Sequence, residues 1–186
     1  MVFCIFISSQ NTTNLKKPLL LLVLATLLIA CGDSNKKSDV DADVTTYYLI
    51  RHAEKDRSDP KDRNPNLMET GQARAQRWAD FFKEIDLDAV YSTNYHRTIQ
   101  TATPTAKWHE LEVQIYDAGS LYDRTFQFAT KGKKVLVVGH SNTTPTFVNT
   151  ILGEEKYEWM HDKDNATLYV VTLKDSVPTV VIQIVD

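Results

Sequence analysis

Lys134–Gly139 contains Val135-Leu136-Val137-Val138, four apolar residues in unbroken succession, three of them β-branched. Neighbouring side chains of a strand point to opposite faces. A strand with one wet face would alternate, so this run predicts a strand buried on both sides. Such strands belong to parallel sheets covered by helices above and below.

The rest of the chain supplies the elements for that arrangement. Thr45–Ile50 is β-branched and aromatic and predicts a strand. Asp56–Asn66, with two prolines and many charges, predicts a surface loop. From Thr70-Gly71, Ala75, Trp78, Phe82 and Ile85 recur at helical spacing on one face. Ala89–Ser92 reads as a short buried strand. Tyr95–Trp108 reads as a helix, with Pro104 expected to bend or interrupt it. Glu112–Ile115 predicts a third strand. A third helix is expected from Ser120, with Leu121, Thr125 and Phe128 on one side and Gly132 at its C-terminus. Pro145–Leu152 predicts a helix ended by Gly153. Thr167–Leu173 and Thr179–Val185 alternate as antiparallel neighbours would. Strand–helix alternation implies a three-layer α/β fold, a mostly parallel sheet with helices on both faces.

Ligands of such sheets bind beyond the carboxyl ends of the strands. Arg51-His52 stands just past the first predicted strand, and His140 just past the fourth. Arg97 falls in the first turn of the helix that follows the second. Two arginines and two histidines at one sheet edge form a compact cationic pocket. Guanidinium forks match phosphoryl oxygens and stay charged at any working pH. A neutral imidazole is a nucleophile toward phosphorus, and a phosphohistidine divides one hard displacement into two easier ones. His52 is the expected nucleophile, with nearby arginines keeping it unprotonated. His140 is expected to donate to a phosphoryl oxygen. Phosphoryl transfer needs mainly positioning and charge stabilisation, so this pocket is expected to need no metal and no cofactor. The five histidines show no metal-ligand spacing such as H-E-x-x-H.

RHAEK at residues 51–55, the later S-x-x-x-x-R-T-x-x-T-A, and the VGHSN segment at residues 138–142 resemble the histidine phosphatase superfamily. Order and spacing match from Thr45 to Asp186. LMETGQARA at residues 67–75 also resembles that family's helix-opening segment, with Met68 where threonine is usual. The resemblance implies a phosphoglycerate-mutase-like fold, phosphorylation of His52, and Arg51, Arg97 and His140 around the phosphoryl group. It also implies an acid that protonates the leaving oxygen. Asp117, after the third strand, is the candidate, with Asp123 and Glu54 as rivals. The chain lacks large mutase-type insertions, which favours hydrolysis over mutase activity.

The N-terminus differs from the body. Residues 1–30 hold no acid and two lysines, Lys16 and Lys17, followed by an apolar run from Pro18 to Ala30. The run is short for a transmembrane helix, which needs ~20 apolar residues, and fits a secretory signal. Leu28-Ile29-Ala30-Cys31 resembles the lipobox of bacterial lipoproteins. That resemblance implies cleavage before Cys31, a diacylglyceryl group on its thiol, and an exported, membrane-anchored protein. Residues 1–14 precede the expected basic region of the signal and are set aside from the fold. Residues 31–44 are expected to be a flexible tether and 45–186 the phosphatase domain. The second cysteine, Cys4, lies inside the signal, so the body has no thiol for a disulfide, a nucleophile or a zinc site.

Two of the 21 basic residues lie in the signal. The remaining 19 face 24 acidic ones, a formal charge of −5. That disfavours nucleic acid as a partner and favours a phosphorylated small molecule bound by local cations. His96, His109 and His161 are expected at the surface or as caps, and Trp78 and Phe82 in the core. Arg57, Lys61 and Arg63 are expected in a solvated loop. Two other functions fit the same residues: a non-catalytic phosphate-binding lipoprotein, and a phosphohistidine protein phosphatase.

Overall fold

The computed structural model describes residues 44–186. The signal, Cys31 and the tether up to residue 43 lie outside the described residues. The elements run β1 (Val44–Arg51), α1 (Glu69–Phe82), β2 (Ala89–Ser92), α2 (His96–Trp108), β3 (Val113–Ile115), α3 (Arg124–Thr130), β4 (Lys134–Gly139), α4 (Thr143–Leu152), β5 (Thr167–Lys174) and β6 (Val177–Ile184). Val44, expected at the end of the tether, is already in β1, opposite Lys174. Among the described residues no helix is long and apolar enough to cross a membrane.

The strands form one sheet in the order β3-β2-β4-β1-β5-β6. The first four are parallel, and β5 and β6 follow antiparallel. The apolar run of β4 is interior, between β2 and β1, and Val135, Leu136, Val137 and Val138 are at most 1% exposed. Burying each contributes roughly 1.5–3 kcal/mol. Val135 and Val137 meet Phe126 of α3 and Phe147, Val148 and Ile151 of α4. Leu136 and Val138 pack with Trp78 and Phe82 of α1 and Ala102 and Ala106 of α2. Two helices cover each face, which is the three-layer α/β architecture.

α3 departs from expectation. It begins at Arg124, because the Asp123 carboxylate caps it by accepting the Phe126 amide. This start turns Phe126 and Thr130 inward and leaves Phe128 88% exposed. α2 continues through Pro104 without a break. β6 is an outer edge. The Val185 amide bonds inward to Ala166, so alternation puts the position of Pro178 on the free side, where its missing N–H removes no ladder bond.

α1 is set directly against the segment that follows β1. The Met68 amide donates to the Glu54 carbonyl at 3.0 Å, and a methyl on Gly71 would run into the Glu54 backbone. Only glycine lets the helix start this close.

Candidate active site

β1 and β4 are parallel neighbours with Arg51 opposite Gly139. The residue after each strand is a histidine, so one register delivers both to the same edge. The His52 amide donates to the Gly139 carbonyl at 2.9 Å, and the two imidazole centroids lie 5.5 Å apart. Gly139 leaves no room for a side chain. A Cβ there would stand 2.8 Å from Thr144 Oγ1, 2.9 Å from Thr143 Oγ1 and 3.0 Å from the Tyr116 hydroxyl.

His52 is 4% exposed. Its Nδ1 lies 2.7 Å from the Ala53 carbonyl. A carbonyl only accepts, so Nδ1 carries the proton and Nε2 keeps its lone pair. The backbone on both sides of the ring is held: Asn165 Nδ2 donates to the His52 carbonyl at 2.7 Å, and the Ala53 amide donates to Thr101 Oγ1 at 2.9 Å. Burial is the main cause that lowers the His52 pKa, to about 3. The Ala53 carbonyl opposes this, while Arg51, His140 and Arg97 add to it. The arginines credited from sequence are therefore a smaller influence than desolvation.

Arg51 is 3% exposed. Its Nη1 points at the carbonyls of His161, Asp162 and Asp164 at 2.9–3.0 Å. Nη2 bonds Asp162 Oδ1 at 3.1 Å. Nε is buried with no partner among the described residues. Arg97, in the first turn of α2, stacks its guanidinium over Tyr95 at 4.4 Å. Its Nη2 reaches His140 Nδ1 at 3.4 Å, and its Nε and Nη1 are buried without partners among the described residues. Two arginines thus hold buried N–H groups whose desolvation is uncompensated by any described acceptor. Phosphoryl oxygens fit those donors.

A guanidinium only donates, so His140 Nδ1 accepts and Nε2 carries the proton toward Thr93 Oγ1, 2.9 Å away. Burial first, then Arg97, Arg51 and Lys55, lower its pKa to about 4. The expected donation from His140 to a phosphoryl oxygen meets a constraint here. The one N–H of the neutral ring is engaged by Thr93, so Nδ1 must first gain a proton.

A cleft of about 590 Å³ opens beside Arg51 and His52, walled by Lys55, Arg57, Met68 and Asp162 among others. The four residues Arg51, His52, Arg97 and His140 are brought together. Asp117 makes no hydrogen bond or ion pair with them and does not line the cleft. It lies beyond β3 in an exposed turn, where its Oδ1 accepts the Gly119 amide at 2.8 Å. Asp123 is the cap of α3, and Glu54 pairs with Arg74 at 2.8 Å. Arg57 lies in a solvated loop as expected and pairs there with Asp162 at the cleft rim. His96 is exposed, and the exposed His161 contributes its carbonyl to Arg51. His109 caps α2, its Nε2 3.0 Å from the Phe82 carbonyl. Thr93 and Asn165 were not singled out from sequence. Thr93 lies inside the motif that carries Arg97, but Asn165 has no local signal. Among the described residues, no three His, Cys, Asp or Glu side chains gather where they could hold a metal ion.

The model of the histidine phosphatase superfamily (branch 1) matches residues 47–118, the segment that carries Arg51, His52 and Arg97. The match makes this segment similar to the histidine phosphatase superfamily. No curated protein sequence matches the chain. The likeness in fold extends further along the chain than that segment. The chain superposes on the protein histidine phosphatase SixA complexed with tungstate, with a TM-score of 0.61 at 18% identity, over 75% of this chain and 96% of that one. It is also similar to the phosphoserine phosphatase of Entamoeba histolytica bound to phosphoserine (TM-score 0.59, 16% identity, 76% and 97% of the chains). Phosphoglycerate mutase from Bacillus anthracis gives a TM-score of 0.57 at 16% identity, over 77% and 94%. At these identities the likeness establishes a phosphoglycerate-mutase-like fold.

The site geometry predicts two neutral imidazoles in the free protein. Their depressed pKa values put both proton gains well below the usual 6.5. In an NMR titration of the free domain, the His52 and His140 ring signals should not move between about pH 5 and 8. A transition near 6.5 in either ring would contradict the desolvated environment described. By linkage, the fold binds fewer protons at these rings than the unfolded chain below about pH 6.5, so both rings favour unfolding as pH falls toward 4 and 3.

Proposed function

We propose that this protein is a phosphatase of the histidine phosphatase superfamily that hydrolyses a phosphomonoester through a phosphohistidine on His52, working as an exported, lipid-anchored protein. The observation that carries the reading is the His52 ring. It is buried and neutral, with its proton held on Nδ1 by Ala53 and its Nε2 lone pair free. Arg51 Nε, Arg97 Nε and Arg97 Nη1, which have no partner among the described residues, are donors for phosphoryl oxygens.

The steps follow from those groups. His52 Nε2 attacks phosphorus and forms the P–N bond as the P–O bond to the leaving group breaks. The leaving oxygen takes a proton from an acid, for which Asp117 is the candidate. The carboxylates lining the cleft are otherwise engaged: Glu54 by Arg74, Asp162 by Arg51 and Arg57, and Asp56 by the Ser58 amide. Water then attacks the phosphohistidine, giving up its proton to the same acid. The P–N bond breaks, and neutral His52 and inorganic phosphate result. Arg51 and Arg97 bind the phosphoryl oxygens throughout. His140 joins them when the anion's charge draws a proton onto its Nδ1.

p-Nitrophenyl phosphate and the domain from Ser34 onward, assayed with a metal chelator present, provide the test. Wild type should release nitrophenol, and His52→Ala should lose about 10³-fold or more, as expected when a covalent route is removed. Phosphate bound without turnover would instead describe a binding module. Asp117→Asn should slow an alkyl phosphate by ~10²-fold while slowing the aryl ester far less, because a good leaving group needs little protonation. Equal losses would assign the proton to another group. For the anchor, the full chain expressed in a lipoprotein-processing bacterium should incorporate labelled fatty acid and sediment with membranes. Cys31→Ala should do neither. Unchanged labelling of that variant would remove Cys31 as the lipid site.

A further inference from the structure

Lys55 is the part of RHAEK that the mechanism above leaves without a role. It follows His52 by three residues, and its backbone is held by an antiparallel bridge to Leu67. Its side chain lines the same cleft as Arg51 and His52 and is half-buried. It makes no hydrogen bond or ion pair among the described residues, although acids line the cleft with it. Asp162 answers two arginines, Glu54 answers Arg74, and Asp56 accepts within its own turn.

The charges that act on Lys55 come mostly from cations. Burial is the main cause that holds its pKa below the ordinary lysine value, and the charges of Arg97, Arg57 and Arg51 add to it, against Asp162 alone. Lys55 in turn depresses His140. Its ammonium therefore stands in the field of the same groups that surround His52. Partly desolvating a cation among guanidiniums costs free energy, and only an anion among them reverses that cost.

Arg51 explains why a third cation is useful. Its Nη1 and one Nη2 hydrogen are committed to the loop at residues 161–164. Only Nε and one hydrogen of Nη2 remain for a phosphoryl group with three nonbridging oxygens. We propose that Lys55 is a third cationic group of the phosphoryl pocket, its ammonium donating to a nonbridging oxygen of the bound phosphoryl group. The proposal rests on the reading of this pocket as a phosphate site.

Inorganic phosphate is the probe, because binding is read without turnover. Calorimetric titration should show Lys55→Gln weakened by about 10- to 100-fold, the usual weight of a hydrogen bond to a charged group. Lys55→Arg should retain most of the affinity, and melting curves of both variants check folding. In turnover, Lys55→Gln should lower kcat/KM by the same factor for p-nitrophenyl phosphate and for an alkyl phosphate, since nonbridging oxygens are common to both. Phosphate affinity within about twofold of wild type would make Lys55 an ordinary cleft lysine and overturn the proposal. A loss that grows with leaving-group basicity would move its contact to the leaving oxygen and overturn it as stated. Wild type that binds phosphate but turns nothing over removes the phosphatase reading alone, and the binding comparison still decides Lys55. Wild type that binds no phosphate removes both.

Discussion

The hydrogen bond from the His52 amide to the Gly139 carbonyl ties the end of β1 to the end of β4. Everything at the site depends on that tie. It continues the parallel ladder one residue past Arg51 and so fixes where the His52 ring leaves the sheet. It works only because residue 139 has no side chain. The hydroxyls of Thr143, Thr144 and Tyr116 already occupy the space a Cβ would take. Thr143 also accepts the His140 amide, and Thr144 bonds the Ile50 carbonyl. The first turn of α4 is thereby fastened to both strands. A sheet register, a missing methyl and a helix start together bring the two imidazoles within 5.5 Å.

The antiparallel half of the sheet completes the site for a topological reason. β5 runs opposite to β1, with Leu168 across from Ile50. It therefore begins where β1 ends, and the loop before it must pass over the carboxyl edge. That loop brings three carbonyls and the Asp162 carboxylate to Arg51, and the Asn165 amide to the His52 carbonyl. A buried guanidinium without such acceptors would be costly. With them, Arg51 is rigid, and its Nε is left as a fixed donor. Rigidity matters more than flexibility here, because a phosphoryl pocket acts by preorganised charge.

Much of this was legible in the chain, and the reasons differ by element. The β4 run was readable because burial on both faces leaves no polar residue in it. Arg51, His52, Arg97 and His140 were readable because each ends a strand, immediately follows one or opens the next helix, where topology alone assigns the edge. Phe128 was misplaced because the phase of a short helix depends on its first residue, and the Asp123 cap shifted that start. Asn165 and the carbonyls of residues 161–164 were invisible because they act through backbone geometry or across more than a hundred residues of chain. The Asp117 carboxylate engages its own turn, a use of aspartate that sequence does not distinguish from an acid aimed at a cleft.

The two histidines show how one residue type takes two roles. Ala53 draws the His52 proton to Nδ1 and leaves the lone pair on Nε2, as the proposed attack on phosphorus requires. Thr93 draws the His140 proton to Nε2, so Nδ1 faces Arg97 as an acceptor. Opposite tautomers thus arise from a carbonyl on one side and a hydroxyl on the other. Burial keeps both rings neutral for the same reason, yet neutrality serves them differently. For His52 it preserves the lone pair that the proposed nucleophile needs. For His140 it avoids a further cation beside Arg97 until an anion arrives to balance one. The charge of the pocket is then matched to the ligand rather than carried in full by the free protein. That balance allows four ionisable side chains to share one buried edge of a sheet.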